Sequence, residues 1–509
     1  MNLLKKSLIV VFCMSIQCST FANVAWKNDL RTKFLDNKAV ITEINIRSFN
    51  ANDIDGDGFI EESKGETKGN FLNAVDRLDE LKNLGINTLH VLPVTPVGKT
   101  KALGTAGSLY SAAGFDTVSE DLADKNSKMS AEEQFKNFID AAHSKNIRVI
   151  VDIPACGSYD LYLQRPDLFV TDASGKPVIP SDWTDVRLLA TGTEEKLDTN
   201  VYNLYKDFVK KMISFGVDGI RADVAHSKTA LFWKELINYS REKDPEFMWL
   251  AEVSDSWHDS ISEYGVFTSY DKLLDAGFDG FYGSFFNLKN WKTAKEFHNQ
   301  IKKTIAQTQN CKSKKSVIGA FTTHDEVSPI LLNGKNFSKM IVWLNSTLPV
   351  NTYYVDGFQT GDDYLYKNGN KAAPLTNTDD DIYFTHRGKI DIFNFSRKPE
   401  GKFPDIKKDI ILGNNVKNGA IDLINNNNYT EINTKNPYVF GYSFGDKTRK
   451  IITVGNLDFS SAQKITIKIG KHSNLLPIKV TDVPSVKHGK FSTSLHPGEI
   501  VVIITSEEN

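Results

Sequence analysis

Eight short apolar stretches, separated by longer amphipathic ones, run through the middle of this 509-residue chain. They are 39-AVITEINI-46, 86-INTLHVLP-93, 147-IRVIVDIP-154, 217-VDGIRAD-223, 247-FMWLAEV-253, 277-GFDGFYG-283, 316-SVIGAFTT-323 and 348-LPVNTYYV-355. Between them, 69-GNFLNAVDRLDELKNLG-85 sets Phe71, Val75, Leu78 and Leu81 on one helical face, with Gly85 as the stop. Ser130 is placed to cap a helix carrying Phe135, Phe138, Ile139 and Ala142. Strands alternating with helices predict a parallel sheet. Eight repeats predict an α/β protein with a closed (β/α)8 TIM barrel. An open doubly wound sheet shares the periodicity, so pattern alone leaves both open.

Two regions break the rhythm. Residues 155–200 hold Pro166, Gly175, Pro177 and Pro180 and no long helical pattern, an excursion of the size that usually serves function. After about residue 400 the helical patterns stop, and 438-YVFGYSF-444, 450-KIITVGNL-457, 464-KITIKIG-470 and 499-EIVVIIT-505 read as strands of a β-sandwich. The expected division is a leader over 1–22, a barrel over 23–154 and 201–400, an inserted domain over 155–200, and a C-terminal sandwich over 401–509.

Lys5 and Lys6, the apolar run from Leu8 to Ile16 and the small residues up to Ala22 predict a signal peptide cut after Ala22. The run is shorter than the roughly 20 residues that span a bilayer. A secreted or periplasmic protein with no membrane anchor after cleavage follows. A net charge of −2 lacks the basic face that a nucleic-acid partner requires. Of the four cysteines, Cys13 and Cys18 leave with the leader. Cys156 lies just past one end of the third strand and Cys311 before the seventh, at opposite barrel ends, so both are expected to be free.

In a (β/α)8 barrel the chemistry sits where strands end at the top. Asp152 ends the third strand, Asp223 the fourth and Glu252 the fifth, and Asp325 follows the seventh. Carboxylates converging on one face repel unless something uses them, either a metal or a hydrolytic pair. Arg221, two residues before Asp223, shares its strand face and would repel a divalent metal while holding a carboxylate ionised. Glu252 follows the apolar 248-MWLA-251, which predicts a raised pKa suited to a proton donor. His324 beside Asp325 suits a hydroxyl-rich ligand.

These residues carry a resemblance. In 217-VDGIRADVAH-226, 250-LAEVSD-255, 321-FTTHDE-326 and 108-SLYSAAGF-115 the chain resembles the α-amylase family, glycoside hydrolase family thirteen, from about residue 39 to the end. The resemblance implies that Asp223 is the nucleophile, Glu252 the general acid/base and Asp325 the transition-state stabiliser. It implies substrate contacts from Tyr110, Asp152, Arg221, His226 and His324. The implied activity is retaining hydrolysis of α-1,4 and, with Val224 after the nucleophile, α-1,6 glucosidic bonds in starch-derived glucans or oligosaccharides; valine there is also simply a good strand residue. The chain departs from the family where Cys156 and Gly157 stand for its Asn-His after the third strand, and where Thr323 replaces its Asn. Rival readings are a glucan transferase or a sucrose- or trehalose-directed enzyme, and a binding protein that has lost catalysis.

The stretch 53-DIDGDGFIE-61 begins like a calcium loop. An EF-hand needs an acid at the twelfth position, where Lys64 stands, so the regulatory reading fails on spacing. Family relatives carry a similar calcium loop after the first strand. The resemblance implies structural Ca2+ held by Asp53, Asp55, Asp57 and Glu61 with the Phe59 carbonyl. A plain Asp/Gly turn is the alternative, and the mutual repulsion of four acids favours the ion.

Overall fold

The computed structural model describes residues 26–52, 54, 60, 62–102, 107–180, 184–254, 268–361, 405–425, 428–446, 448–469, 473–477 and 485–507. The proposed leader and Asp53, Asp55, Asp57, Phe59 and Glu61 lie outside the described residues.

All eight predicted strands form. They are β1 (Val40–Ile44), β2 (Thr88–Val91), β3 (Arg148–Ile153), β4 (Gly219–Ala222), β5 (Met248–Ala251), β6 (Gly280–Phe281), β7 (Ser316–Val317) and β8 (Thr352–Val355). They pair in parallel in the order β8-β1-β2-β3-β4-β5-β6-β7. The circle closes through a parallel bridge between Ile318 and Asn351, whose amide donates to Val317 (2.8 Å) while its carbonyl accepts from Gly319 (2.8 Å). A closed barrel thus replaces the open-sheet alternative. Strands buried on both sides explain the near-continuous apolar runs. Ile41, Ile150, Met248, Leu250, Tyr282 and Tyr353 pack inside the barrel in one cluster, which the N-terminal helix Leu30–Leu35 caps with Leu30 and Phe34. A larger cluster fills the layer between strands and helices.

Ser130 caps the helix Ala131–Ser144 as expected, in a reciprocal capping box with Glu133. The helix expected over 69–85 forms instead as three short pieces, Phe71–Ala74, Val75–Arg77 and Leu78–Asn83. In the excursion after β3, Cys156–Ser158 and Val186–Leu188 pair antiparallel and fold over the barrel top.

The helices do not stop at residue 400. Asp405–Ile424 is a 20-residue helix, packed against the long helix Pro329–Thr347 that precedes β8. It buries Ile406, Ile410, Ala420, Leu423 and Ile424 at helical spacing, and Lys417 Nζ donates to the carbonyl of Asn345 (2.8 Å). The close approach requires Gly413, because a Cβ there would lie 2.4 Å from Ser346 Oγ. Gly413, Asn414, Asn415, Asn418 and Gly419 are weak helix formers and hide the pattern in the sequence.

Beyond it, Thr430–Glu431, Val439–Gly445, Arg449–Asn456, Ile500–Glu507 and Ser473–Pro477 form one antiparallel sheet. Gln463–Lys468, Lys490–Leu495 and Ser485–Lys487 form another. Val439, Ile452, Val454, Ile465, Ile467 and Phe491 pack between them, as a β-sandwich requires. The sandwich meets the barrel where Phe440 stacks on Phe297 of the helix Ala294–Gln309, centroids 4.0 Å apart and planes 11° from parallel. Among the described residues no helix is long and apolar enough to cross a membrane.

Both rings of that stack are fully buried. Phe440→Ala is therefore expected to destabilise the protein by about 3–5 kcal/mol. A urea midpoint indistinguishable from wild type would show that the sandwich does not brace the barrel.

Candidate active site

The top of the barrel gathers the predicted residues because each lies at, or just beyond, the end of a parallel strand. Asp152 is on β3 and Arg221 on β4; Asp223 lies just past the end of β4, Glu252 directly after β5, and Asp325 in the turn after β7. Register puts Asp152 beside Arg221, and Arg221 beside Leu250 two residues before Glu252.

Arg221 is the hub. Its Nη1 donates to Asp152 (2.9 and 2.8 Å) and to Asp223 Oδ1 (3.0 Å). Its Nη2 pairs with Glu252 Oε1 at 2.7 Å, and its Nε donates to the Tyr282 hydroxyl at 3.2 Å. Burial opposes the guanidinium charge, but Asp152 and Glu252 more than restore it and hold its pKa well above the ordinary value. Burial would likewise raise Asp152, yet Arg221, His90 and the Tyr110 hydroxyl bring it below the usual carboxylate range.

One guanidinium cannot neutralise three buried carboxylates. Asp223 is pushed up to about 8, first by burial and then by Glu252 and Asp152, against the pull of Arg221. Burial and like charge together thus favour a proton within the cluster.

Backbone donors complete the cradle. The Ala155 amide donates to Asp223 Oδ2 (2.9 Å) and the Val224 amide to Glu252 Oε2 (2.7 Å). Val224 is not a strand residue, as the sequence suggested it could be. It follows β4 with φ 41°, in the left-handed region that a β-branched residue adopts only under strain. That conformation aims its amide at Glu252.

Tyr110 reaches in from the loop after β2. Its hydroxyl donates to Asp152 Oδ2 (2.7 Å) and lies 3.1 Å from His324 Nε2, with the two rings stacked at 5.7 Å. His324 Nε2 is 3.4 Å from Asp325 Oδ1, and Thr323 Oγ1, in the place of the family's Asn, accepts from the Asp325 amide at 3.1 Å. His226 sits in the short turn Ala225–Ser227 and is buried; its carbonyl accepts from the Thr268 amide (3.0 Å). Burial pulls its imidazole down to about 4, so it is neutral at physiological pH.

The cleft over this floor is lined by Tyr110, Asp223, Glu252, His324 and Asp325 on its polar side. Ala155, Cys156, Pro180, Val186, Leu188 and Val224 form its apolar side. The Asn-His replacement now has a shape. A Cβ on Gly157 would lie 2.8 Å from the Phe169 ring and 3.0 Å from Leu161, so position 157 faces packed core. Cys156 lines the cleft instead, and burial pushes its thiol up to about 12. Cys156 and Cys311 are free, as expected.

The sequence reading missed a supporting layer. Glu43 on β1 is buried and joins His324 by its ring Nδ1 and by its amide (3.2 Å); it also accepts from the Tyr353 hydroxyl at 2.9 Å. Burial would raise Glu43, but His324, His90 and Tyr353 bring it below its ordinary value. The only available signal was an acid in mid-strand, with no way to read its partner. Among the described residues no group of three or more His, Cys, Asp or Glu side chains is arranged to hold a metal.

Comparison with known proteins gives the same picture. No family model matches the chain. It is 25% identical over 448 residues to alpha-1,4-glucan:maltose-1-phosphate maltosyltransferase from Picrophilus torridus, covering 83% of this chain and 65% of that one. It is 27% identical over 259 residues to alpha-amylase 3 from Dictyoglomus thermophilum, 44% of this chain and 45% of that one. The chain thus spans less than two thirds of the length of either relative. The alpha-amylase from Lactobacillus plantarum superposes with a TM-score of 0.69 at 19% identity, over 93% of this chain and 99% of that one. The fold is that of the α-amylases. The resemblance to the α-amylase family carried by the strand-end motifs is borne out.

The hub predicts its own pH signature. Arg221→Met leaves three buried carboxylates without a counter-ion and is expected to destabilise by about 3–5 kcal/mol at pH 8. In the variant their folded-state pKa values rise above the unfolded ones, so its stability grows as pH falls through them. In wild type the depressed Asp152 works the other way and loses its contribution as pH falls. The deficit between variant and wild type should shrink between pH 8 and pH 5 in chemical denaturation; a constant deficit would show that charge is not what Arg221 supplies.

Proposed function

We propose that this protein is a retaining glycoside hydrolase acting on α-glucosidic bonds, α-1,4 and α-1,6, in starch-derived glucans or oligosaccharides. The observation that carries the reading is the meeting of Asp223, Glu252 and Asp325 in one cleft, with Arg221 beneath the first two and Tyr110 stacked on His324 at its side. A retaining mechanism needs two carboxyls with one proton between them, and burial beside like charges favours holding a proton in this pair.

In this reading the proton rides on Glu252 when substrate binds, and Asp223 is ionised against Arg221 and the Ala155 amide. Glu252 protonates the leaving glycosidic oxygen while Asp223 attacks the anomeric carbon. Water, deprotonated by Glu252, then displaces the sugar from Asp223 with net retention. Asp325 and His324 hold hydroxyls of the distorted ring, and Tyr110 supplies the stacking face.

A second reading is glucan transfer, in which a sugar hydroxyl replaces water. The maltosyltransferase relative, which aligns with 83% of this chain, favours it, as does the apolar cleft wall of Cys156, Pro180, Val186 and Leu188. Incubation with maltooligosaccharides, isomaltose, sucrose, trehalose, maltose 1-phosphate and starch, followed by product analysis, separates the two. Hydrolysis yields reducing ends and shorter products only; transfer yields lengthened chains. Turnover of none of them would support the binding-protein alternative.

Asp223→Asn and Glu252→Gln are each expected to lower kcat by at least about 10⁴-fold with unchanged circular dichroism. Full activity in either folded variant would overturn the assignment.

We further propose that the 53–61 loop holds a structural Ca2+ and that the protein is exported by its leader. The loop's flanks are pinned by a bridge between Asn52 and Thr67 and by the Ile54 amide on the Glu66 carboxylate (2.9 Å), as a clamp at the loop's base would need. Removing calcium with EGTA is expected to lower the thermal midpoint, and calcium alone to restore it. A midpoint indifferent to both would leave the acids as a plain turn.

A further inference from the structure

Lys228 is a fully buried lysine next to the site, and the catalytic scheme above gives it nothing to do. It follows the turn Ala225–Ser227 after β4. Its Nζ donates to the Ala155 carbonyl at 2.7 Å and faces the Tyr205 ring at 5.6 Å. The Tyr205 hydroxyl donates to the neighbouring Pro154 carbonyl at 2.6 Å. Two side chains thus grip consecutive carbonyls of the loop leaving β3, and the amide of that same Ala155 donates to Asp223 Oδ2.

Burying an ammonium is expensive unless its charge or its donors are used. Here both have a target. The donor fixes the peptide whose other end touches Asp223, and the charge lies near Asp223 and Cys156, each of which draws the lysine's pKa upward. Burial is the larger effect and pulls it down to about 8, so the ammonium is charged at neutral pH.

We propose that Lys228 is a positioning residue that locks the Ala155 peptide, through its carbonyl, so that the Ala155 amide stays aimed at Asp223 while a nearby positive charge opposes that carboxyl's protonation. The proposal rests on the reading of Asp223 as nucleophile. It adds a second cation, behind Arg221, that reaches the nucleophile through a loop rather than by direct contact.

The groups facing Asp223 are Arg221, Glu252 and Asp152 from the barrel strands, and Tyr110 from the loop after β2. Cys156 and Tyr205 face it from the β3 loop and the helix Thr199–Phe215, and Lys228 from the turn after its own strand. Of these only Arg221 and Lys228 are cationic, so losing Lys228 should raise the pKa of Asp223.

The test compares Lys228→Met and Lys228→Gln with wild type. In Lys228→Met, kcat should fall about 10- to 100-fold with KM nearly unchanged. The acid limb of kcat/KM should move up by about one pH unit. Amide exchange in the peptide carrying Ala155 should quicken about tenfold by mass spectrometry. Lys228→Gln keeps a donor for the Ala155 carbonyl but no charge, so its acid limb should move as in Lys228→Met while its exchange stays closer to wild type. If Lys228→Met does not fold, Lys228→Gln carries the pH readout. A folded variant with an unmoved acid limb and wild-type exchange overturns the proposal. If wild type turns over no glycoside, the enzymatic reading fails, and the exchange comparison alone upholds or overturns the clamp.

Discussion

The barrel top depends on one guanidinium. Arg221 lies at the mouth of a cylinder whose strands bring three carboxylates within its reach, and no arrangement of those acids is stable in a buried site without it. The parallel register places it between Asp152 on one side and the approach to Glu252 on the other. Its planar fork reaches oxygens on separate residues in a fixed geometry, where a lysine would offer one compact point charge. The rest of the site follows from that choice. Asp152, held below the usual carboxylate range, anchors Tyr110 and lies near His90, and these in turn reach His324 and Tyr353. The hydrogen-bonded chain runs from β3 through the barrel interior to β1 and β8, where Glu43 closes it.

Side chains alone do not aim the two carboxylates that would do the chemistry. Each also takes a backbone amide from a neighbouring loop, Ala155 for Asp223 and Val224 for Glu252. Amides are fixed dipoles, so they orient a carboxylate oxygen without titrating themselves. Val224 holds its amide in place at the expense of a strained φ, and the strain is borne because strand β4 on one side and the buried turn Ala225–Ser227 on the other leave the residue no alternative. The two loops are also joined, since Lys228 from the second grips Ala155 in the first.

How much of this the sequence could show depends on whether the signal was periodic or positional. All eight strands and the acids at their ends were legible, because strand period and strand-end position are local properties of the chain. So was the capping box at Ser130 and Glu133. The helix Asp405–Ile424 was not, because glycines and asparagines dilute its apolar face and only its partner Pro329–Thr347 makes the pattern meaningful. The left-handed turn at Val224 was not legible, because a valine suits a strand while its place, one residue past Asp223, demands a turn. Glu43 and Lys228 could not be read at all: a buried charge declares itself only through its partners, His324 and Tyr353 for one and the Ala155 carbonyl for the other, and those lie far away in the chain. Nor could the raised carboxyl of Asp223 be read, because burial acts on the whole cluster and not on one local stretch.

The floor of the cleft is charged and over-determined, whereas the wall is neither. Cys156, Pro180, Val186 and Leu188 come from the excursion after β3, and Gly157 is turned toward Phe169, so this wall offers a thiol and methyl groups where the family pattern would offer an amide and an imidazole. Among the described lining residues, side-chain hydroxyls come only from Ser108, Ser227 and Tyr110, and this wall supplies none of them. Its described side chains suit the apolar C–H face of a ring better than its hydroxyls. The attacking floor is the same for hydrolysis and for transfer, since water and a sugar hydroxyl both lose their proton to the same base. The choice between them therefore lies in the wall.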